Sequence, residues 1–128
     1  MNILIDTNIA LWAMYAPERL SEDSAGYLTD KANTIYCSLV SAWEVEIKNS
    51  IGKLDVLSAE FVRDAESMGF RILPIECSHI LGLVNVEIIN GHKNPFDRLL
   101  VSQAMVERCM FLSEDRKILQ YPFNCILK

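Results

Sequence analysis

The sequence lacks the features that mark membrane, secreted and zinc-binding proteins. No apolar stretch is long enough to cross a bilayer. The first residues contain no basic region, and an acid follows after only three apolar residues, so they are not typical of a signal peptide. None of the four cysteines forms a C-x-x-C pair or neighbours a histidine at zinc-finger spacing. We therefore expect a cytoplasmic protein whose thiols are reduced and mostly buried.

Basic residues are also in short supply. The chain has 12 lysines and arginines against 17 aspartates and glutamates, for a formal net charge of −5. This balance argues mildly against a protein that binds nucleic acid through charge alone. It leaves open an enzyme that cuts nucleic acid, because such an enzyme can hold metal ions with clustered acids and contact its substrate through a few local lysines and arginines.

The length and hydrophobic content of the chain fit a single packed domain. The sequence has 128 residues, of which 51% are hydrophobic, and no internal repeat, low-complexity tract or long linker. That is enough apolar material for a core without disulfides or structural metal. We expect one domain spanning residues 1–128.

Short apolar runs alternate along the chain with longer segments of helical spacing. Strands are predicted at residues 2–5, 34–37, 70–73, 110–112 and, as a final edge strand, 123–126. Helices are predicted at residues 8–15, from the N-cap Ser21 to about Lys31, from an N-cap at Ser38 or Ser41 to about Gly52, from Ser58 to about Gly69, and at 77–84, 95–108 and 114–119. Residues 85–93 have no clear pattern. The alternation predicts an α/β fold: a three-layer α/β/α sandwich around a central parallel sheet of four to five strands.

Four acids fall where such a fold binds ligands, which is outside the carboxyl ends of its strands. Asp6 follows the first strand and Asp115 follows the fourth. Glu44 lies one turn into the helix after the second strand, and Asp97 lies in the first turn of the helix that Asn94 and its following proline begin. The sequence therefore predicts that all four face one edge of the sheet.

Each acid also has a purely structural interpretation. Asp97 could complement the helix dipole, an effect of about 0.3–1 kcal/mol. Glu44 precedes Lys48 by four residues, which is typical of an exposed ion pair, although its neighbours are apolar. Asp115 could sit in the turn that opens the last helix. Asp6 is the hardest to explain in this way, because an uncompensated charge beside a buried strand is costly and needs a partner.

A divalent cation would explain the four acids together. Crowded carboxylates repel one another and raise each other's pKa values. Oxygen ligands of this kind suit Mg²⁺ or Mn²⁺, which can activate water and neutralise charge on a phosphodiester. The two histidines, His79 and His92, are far apart in the sequence, and for each we expect a surface or packing role.

Four segments of the chain resemble the PIN-domain family. They are ILIDTN at residues 3–8, SAWEVEIK at 41–48, HKNPFDRLL at 92–100 and LSED at 112–115. The resemblance is closest to the VapC-like toxins of bacterial and archaeal type II toxin–antitoxin pairs, and it covers essentially the whole chain. The W-E-x-x-I-K and P-F-D-R segments, in this order and at this spacing, are its specific part.

The resemblance implies a Mg²⁺- or Mn²⁺-dependent endoribonuclease that cleaves RNA, forms a homodimer and is neutralised by an antitoxin encoded beside it. The implied metal ligands and catalytic residues are Asp6, Glu44, Asp97 and Asp115, supported by Thr7, Asn8 and Ser113.

Two positions complicate the match. Asn94 stands where related sequences often have Asp, but Asn serves about as well as an N-cap. Glu46 is a second acid in the W-E segment, and we assign the ligand to Glu44 because it directly follows Trp43 as in the family.

Two other classes of function remain as alternatives. A phosphotransfer enzyme with an aspartyl nucleophile needs a second Asp two residues after the first, where this chain has Asn8, and the paired acids of a phosphoacceptor domain are missing. A catalytically inactive PIN-like module could bind RNA or protein without cutting, although the presence of all four acids weighs against a degenerate site.

Overall fold

The computed structural model describes residues 1–87 and 94–127. Its centre is a sheet of four strands in the order β3-β2-β1-β4, and every neighbouring pair is parallel. The strands are β1 Asn2–Ile5, β2 Thr34–Ser38, β3 Arg71–Leu73 and β4 Met110–Leu112. The predicted α/β class with a central parallel sheet of four to five strands is thus confirmed, with four strands in the described ranges.

Helices connect the strands and cover both faces of the sheet. They are α1 Thr7–Tyr15, α2 Glu22–Thr29, α3 Leu39–Ser50, α4 Ser58–Ser67, α5 Cys77–Leu81, α6 Pro95–Glu107 and α7 Arg116–Leu119. Short 3-10 helices lie at Pro17–Arg19 and Gly82–Asn85. Within residues 1–87 and 94–127, no helix is long and apolar enough to span a membrane.

The alternation of side chains along β1 produces the three layers. Ile3 and Ile5 point into one core, which they share with buried residues of α1, α3 and α4. Leu4 points into a second core on the opposite face, with buried residues of α6 and α7. Successive side chains of a strand face opposite ways, and a parallel sheet is buried on both faces, so β1 is apolar throughout the segment that the sheet buries. The predicted α/β/α sandwich is therefore confirmed.

The register of the sheet places the carboxyl ends of β1, β2 and β4 side by side. Ile5 pairs with Cys37 of β2 and with Leu112 of β4. The next residue, Asp6, donates its backbone N–H to the carbonyl of Leu112 at 3.1 Å. The segments that leave β1, β2 and β4 therefore start from the same edge of the sheet.

One predicted strand is absent and one predicted helix is shorter than expected. Residues 123–126 do not form a strand: the chain turns so that the N–H of Ile126 donates to the carbonyl of Phe123, and only an isolated parallel bridge joins Ile126 to Phe111. The helix predicted at 77–84 ends at Leu81 and tightens into a 3-10 helix. Gly82 approaches α6 closely at this point, since an added Cβ would be 2.6 Å from the Ser102 hydroxyl.

Helix caps account for most of the boundaries. Ser38, one of the two predicted caps, is the N-cap of α3 and accepts from the N–H of Val40 at 2.9 Å. Ser21 caps α2 as predicted, accepting from the N–H of Ser24. The four cysteines form no disulfide; Cys37 and Cys109 are buried, Cys125 is half-buried and Cys77 is exposed.

A buried polar network joins the end of β2 to α5 and α6. The Ser38 hydroxyl donates to Oε1 of Gln103, and Nε2 of Gln103 lies 3.2 Å from both the Pro74 carbonyl and Nδ1 of His79. Nε2 of His79 is 2.8 Å from a carboxylate oxygen of Glu107. Gln103 and His79 have no exposed surface, so His79 has the packing role expected of it, whereas His92 lies outside the described residues.

Replacing Gln103 by leucine should destabilise the fold by about 1–3 kcal/mol, because the change leaves the Ser38 hydroxyl and the Pro74 carbonyl without this partner. Urea denaturation followed by circular dichroism would measure the loss. Adding Ser38→Ala to Gln103→Leu should cost less than the sum of the two single changes, because both remove the same bond. Additive losses would contradict the network.

Candidate active site

A cleft of about 80 Å³ opens at the carboxyl edge of the sheet. The residues that line it come from four separate parts of the chain: Asp6, Thr7, Asn8, Glu44, Lys48, Asn94, Asp97 and Asp115. All four of the acids singled out from the sequence are among them, together with Thr7 and Asn8. Ser113, the remaining predicted residue, is buried beside Asp6.

Asp6 is held rigidly at the end of β1. It is the N-cap of α1, and its Oδ1 accepts from the N–H of Ile9 at 2.8 Å. Its Oδ2 accepts from the Ser113 hydroxyl at 2.6 Å. Burial raises the pKa of Asp6 to about 7, the negative charges of Asp97 and Asp115 add to the rise, and the two hydrogen bonds oppose it. Asp6 is therefore partly protonated near neutral pH, chiefly because it is buried and to a smaller extent because of the two nearby negative charges.

Glu44 faces the cleft from α3 and is only 4% exposed. Its Oε1 accepts from the Thr7 hydroxyl at 2.6 Å, and the Thr7 and Ser41 hydroxyl oxygens are 2.9 Å apart. Its Oε2 lies 2.9 Å from Nζ of Lys48. Glu46, the other acid of the segment, is exposed on another face of α3. It accepts a hydrogen bond from the Ser58 hydroxyl of α4. The carboxylate in the cleft is thus that of Glu44.

The other two acids lie at helix beginnings. Asp97 is in the first turn of α6, where Oδ1 of the N-cap residue Asn94 accepts from the N–H of Asp97 at 3.4 Å. Asp115 is the N-cap of α7 and accepts from the N–H of Lys117 at 2.9 Å. The N–H of Asp115 donates to the Ser113 hydroxyl, the same hydroxyl that donates to Asp6. Ser113 therefore ties the carboxylate of Asp6 to the backbone of Asp115.

The carboxylates of the cleft have the right chemistry for Mg²⁺ or Mn²⁺, but their arrangement is not yet that of a metal centre. Within the two described ranges, no three acid, histidine or cysteine side chains are grouped so that they could hold one ion together. Both oxygens of Glu44 are engaged, by Thr7 and by Lys48. Both oxygens of Asp6 are engaged as well. A cation bound here would offset the negative charges of the cleft, and the side chains would have to rearrange to receive it.

Sequence reasoning missed two residues that matter to this geometry. Lys48 was considered only in the structural interpretation of Glu44, as its partner in an exposed ion pair, but the pair lies in the cleft with its carboxylate buried. Ser41 was considered only as a cap, but it contacts Thr7. The signal was present, since Ser41, Glu44 and Lys48 are spaced by three and four residues and so share one helix face.

The parallel sheet and the acidic cleft at its carboxyl edge are typical of α/β domains whose ligand site lies at the ends of the strands. The sequence model of the PIN domain matches residues 3–124. The chain therefore belongs to the PIN-domain family, and the family resemblance predicted from the four segments is confirmed.

Two solved structures have the same fold over nearly their whole length. One is VapBC2 from Rickettsia felis bound to a DNA fragment from their promoter, with 18% identity, a TM-score of 0.69 and coverage of 95% of this chain and 94% of that one. The other is a toxin–antitoxin complex from Klebsiella pneumoniae, with 18% identity, a TM-score of 0.60 and coverage of 98% and 96%. No curated protein sequence matches this chain significantly.

Proposed function

We propose that this PIN-domain protein is a metal-dependent endoribonuclease and the toxin of a type II toxin–antitoxin pair, acting in the cytoplasm. The observation that carries the proposal is the convergence of Asp6, Glu44, Asp97 and Asp115 on one cleft. These acids come from distant parts of the chain, and the charges of Asp97 and Asp115 both add to the rise that burial causes in the pKa of Asp6. The similarity in fold to two toxin–antitoxin complexes supports the toxin assignment.

The four carboxylates would hold Mg²⁺ or Mn²⁺, which would activate a water molecule and neutralise charge on the scissile phosphodiester. Thr7 fixes the direction of the Glu44 carboxylate through its 2.6 Å hydrogen bond. Ser113 fixes the distance between Asp6 and the turn that carries Asp115. Because a ligating carboxylate must be ionised, Asp6 has to release its proton when the metal binds, so metal affinity should rise with pH through 7.

The partners follow from the same proposal. RNA is the substrate, and an antitoxin encoded beside the toxin keeps it inactive. We expect the antitoxin to place a basic side chain against the acids, most suitably arginine, because its planar fork matches carboxylates in both geometry and charge. On family grounds the toxin should also be a homodimer.

A cleavage assay separates this function from that of an inactive binding module. Purified protein should cut RNA in millimolar Mn²⁺ or Mg²⁺, and EDTA should abolish the cutting. Expression of the chain alone should slow the growth of a bacterial host, and co-expression of the adjacent gene product should restore it. Abundant soluble protein that leaves both growth and RNA intact would contradict the toxin function. RNA that is bound but not cut would favour the inactive binding module.

A further inference from the structure

Lys48 reaches into the acidic cleft from outside. Its Nζ lies 2.9 Å from Oε2 of Glu44. The Lys48 side chain is 41% exposed, whereas the side chain of Glu44 is only 6% exposed. One end of this ion pair is therefore free to move into solvent, while the other is fixed by burial and by the hydrogen bond from Thr7.

The charge balance of the cleft gives this contact its importance. Among the described residues that line the cleft, four are acids and Lys48 is the one lysine or arginine. Its ammonium thus supplies the positive charge that Glu44 needs in the absence of metal, because a buried carboxylate without a partner is costly. The burial and the charge of Glu44 together make a counter-ion necessary.

We propose that Lys48 is an exchangeable counter-ion, which occupies Glu44 in the metal-free protein and is displaced from it when a divalent cation binds. This inference rests on the proposed function, since it takes Glu44 as a metal ligand. An ammonium and a divalent cation at one carboxylate repel each other strongly at such short range. The pair is weak enough to be broken because its lysine is partly exposed to solvent. Lysine also suits the task, since its charge is carried on a flexible four-carbon stem.

The exchange gives Lys48 control over the metal concentration at which the cleft fills. The ammonium raises the dissociation constant for the metal, because every binding event must first break the contact with Glu44. Glu44 therefore keeps a counter-ion when metal is scarce, and the cleft takes up the metal ion only above a concentration that Lys48 sets.

Calorimetric titration of Mn²⁺ into the full chain, without RNA, tests the exchange. Lys48→Met should bind Mn²⁺ about two- to fivefold more tightly than the wild type, a range set by the usual strength of a partly exposed ion pair. In EDTA the variant should melt at a lower temperature than the wild type, and Mn²⁺ should raise its melting temperature by more. Lys48→Arg keeps the charge and should bind Mn²⁺ no more tightly than the wild type.

Lys53→Met is the matched control, because it changes the net charge equally at a residue that does not line the cleft. It should bind Mn²⁺ like the wild type. Equal or weaker Mn²⁺ binding by Lys48→Met would overturn the exchange while leaving the proposed metal site intact. If neither wild type nor variant bound Mn²⁺, the proposed function would fail together with the exchange, since Lys48 would have nothing to compete with.

Discussion

Asp97→Asn is expected to lower the single-turnover rate of RNA cleavage by about 10²–10³, the scale of loss when one preorganised electrostatic group is deleted. The same change should leave the metal-free fold as stable as the wild type, or more so. The reason is that the charge of Asp97 raises the pKa of Asp6, so its removal relieves repulsion inside the cleft. Single-turnover kinetics in Mn²⁺ and melting curves in EDTA would measure the two effects.

The alternative for Asp97 is that it only complements the dipole of α6, and this role predicts the opposite pair of results. Stability would then fall by about 0.3–1 kcal/mol and the cleavage rate would not change. Asp23→Asn provides the control, since Asp23 also lies in the first turn of a helix but not in the cleft. A normal rate in a slightly destabilised Asp97→Asn protein would return Asp97 to a structural role.

Asp6→Asn should abolish cleavage and also remove a pH dependence from the stability of the metal-free protein. In the folded protein the pKa of Asp6 is about 7, above its ordinary value of 3.8, so the folded state binds the proton more tightly than the unfolded state. The stabilisation from this proton is therefore fully present below about pH 4 and is lost as the pH rises through 7. Asparagine carries no charge at any pH and can still accept from the N–H of Ile9.

The two proteins should accordingly be about equally stable at pH 4 and differ most at pH 8. There the Asn variant should be the more stable by a few kcal/mol, since each unit of pKa shift corresponds to about 1.4 kcal/mol. Urea denaturation in EDTA at pH 4, 6 and 8 would show the divergence. Adding Mn²⁺ at pH 8 should stabilise the wild type and not the variant. Curves that stay parallel from pH 4 to 8 would contradict a raised pKa at Asp6.

The fold was predictable because its local signals agree with one another. The Asn94-Pro95 pair marks the start of α6, and Ser21 marks the start of α2. The apolar run of β1 leads directly to Asp6, which caps α1. Because parallel strands end at a common edge, these boundaries were sufficient to predict which acids would converge.

The parts that could not be predicted depend on how elements pack against one another. Helical spacing puts Glu44 and Lys48 on one face of α3, but only the packing of α3 against its neighbours decides that Glu44 is buried and Lys48 partly exposed. The helix that begins at Cys77 ends at Leu81, one turn before its spacing predicts, beside the close approach of Gly82 to α6. The hydrogen bonds and the ion pair that engage Asp6 and Glu44 likewise depend on side-chain packing, which no spacing reveals.

The position of β1 in the middle of the sheet has a consequence for how the protein is made. Asp6 is synthesised well before the hydroxyl that holds its carboxylate, which belongs to Ser113, 107 residues later. The strand that delivers Ser113 and Asp115 is β4, which pairs with β1 directly. A nascent chain that has not yet reached β4 carries Asp6, Glu44 and Asp97 but lacks both Ser113 and Asp115, so its cleft is incomplete. Under the proposed function, this order along the chain delays RNA cleavage until β4 has been made.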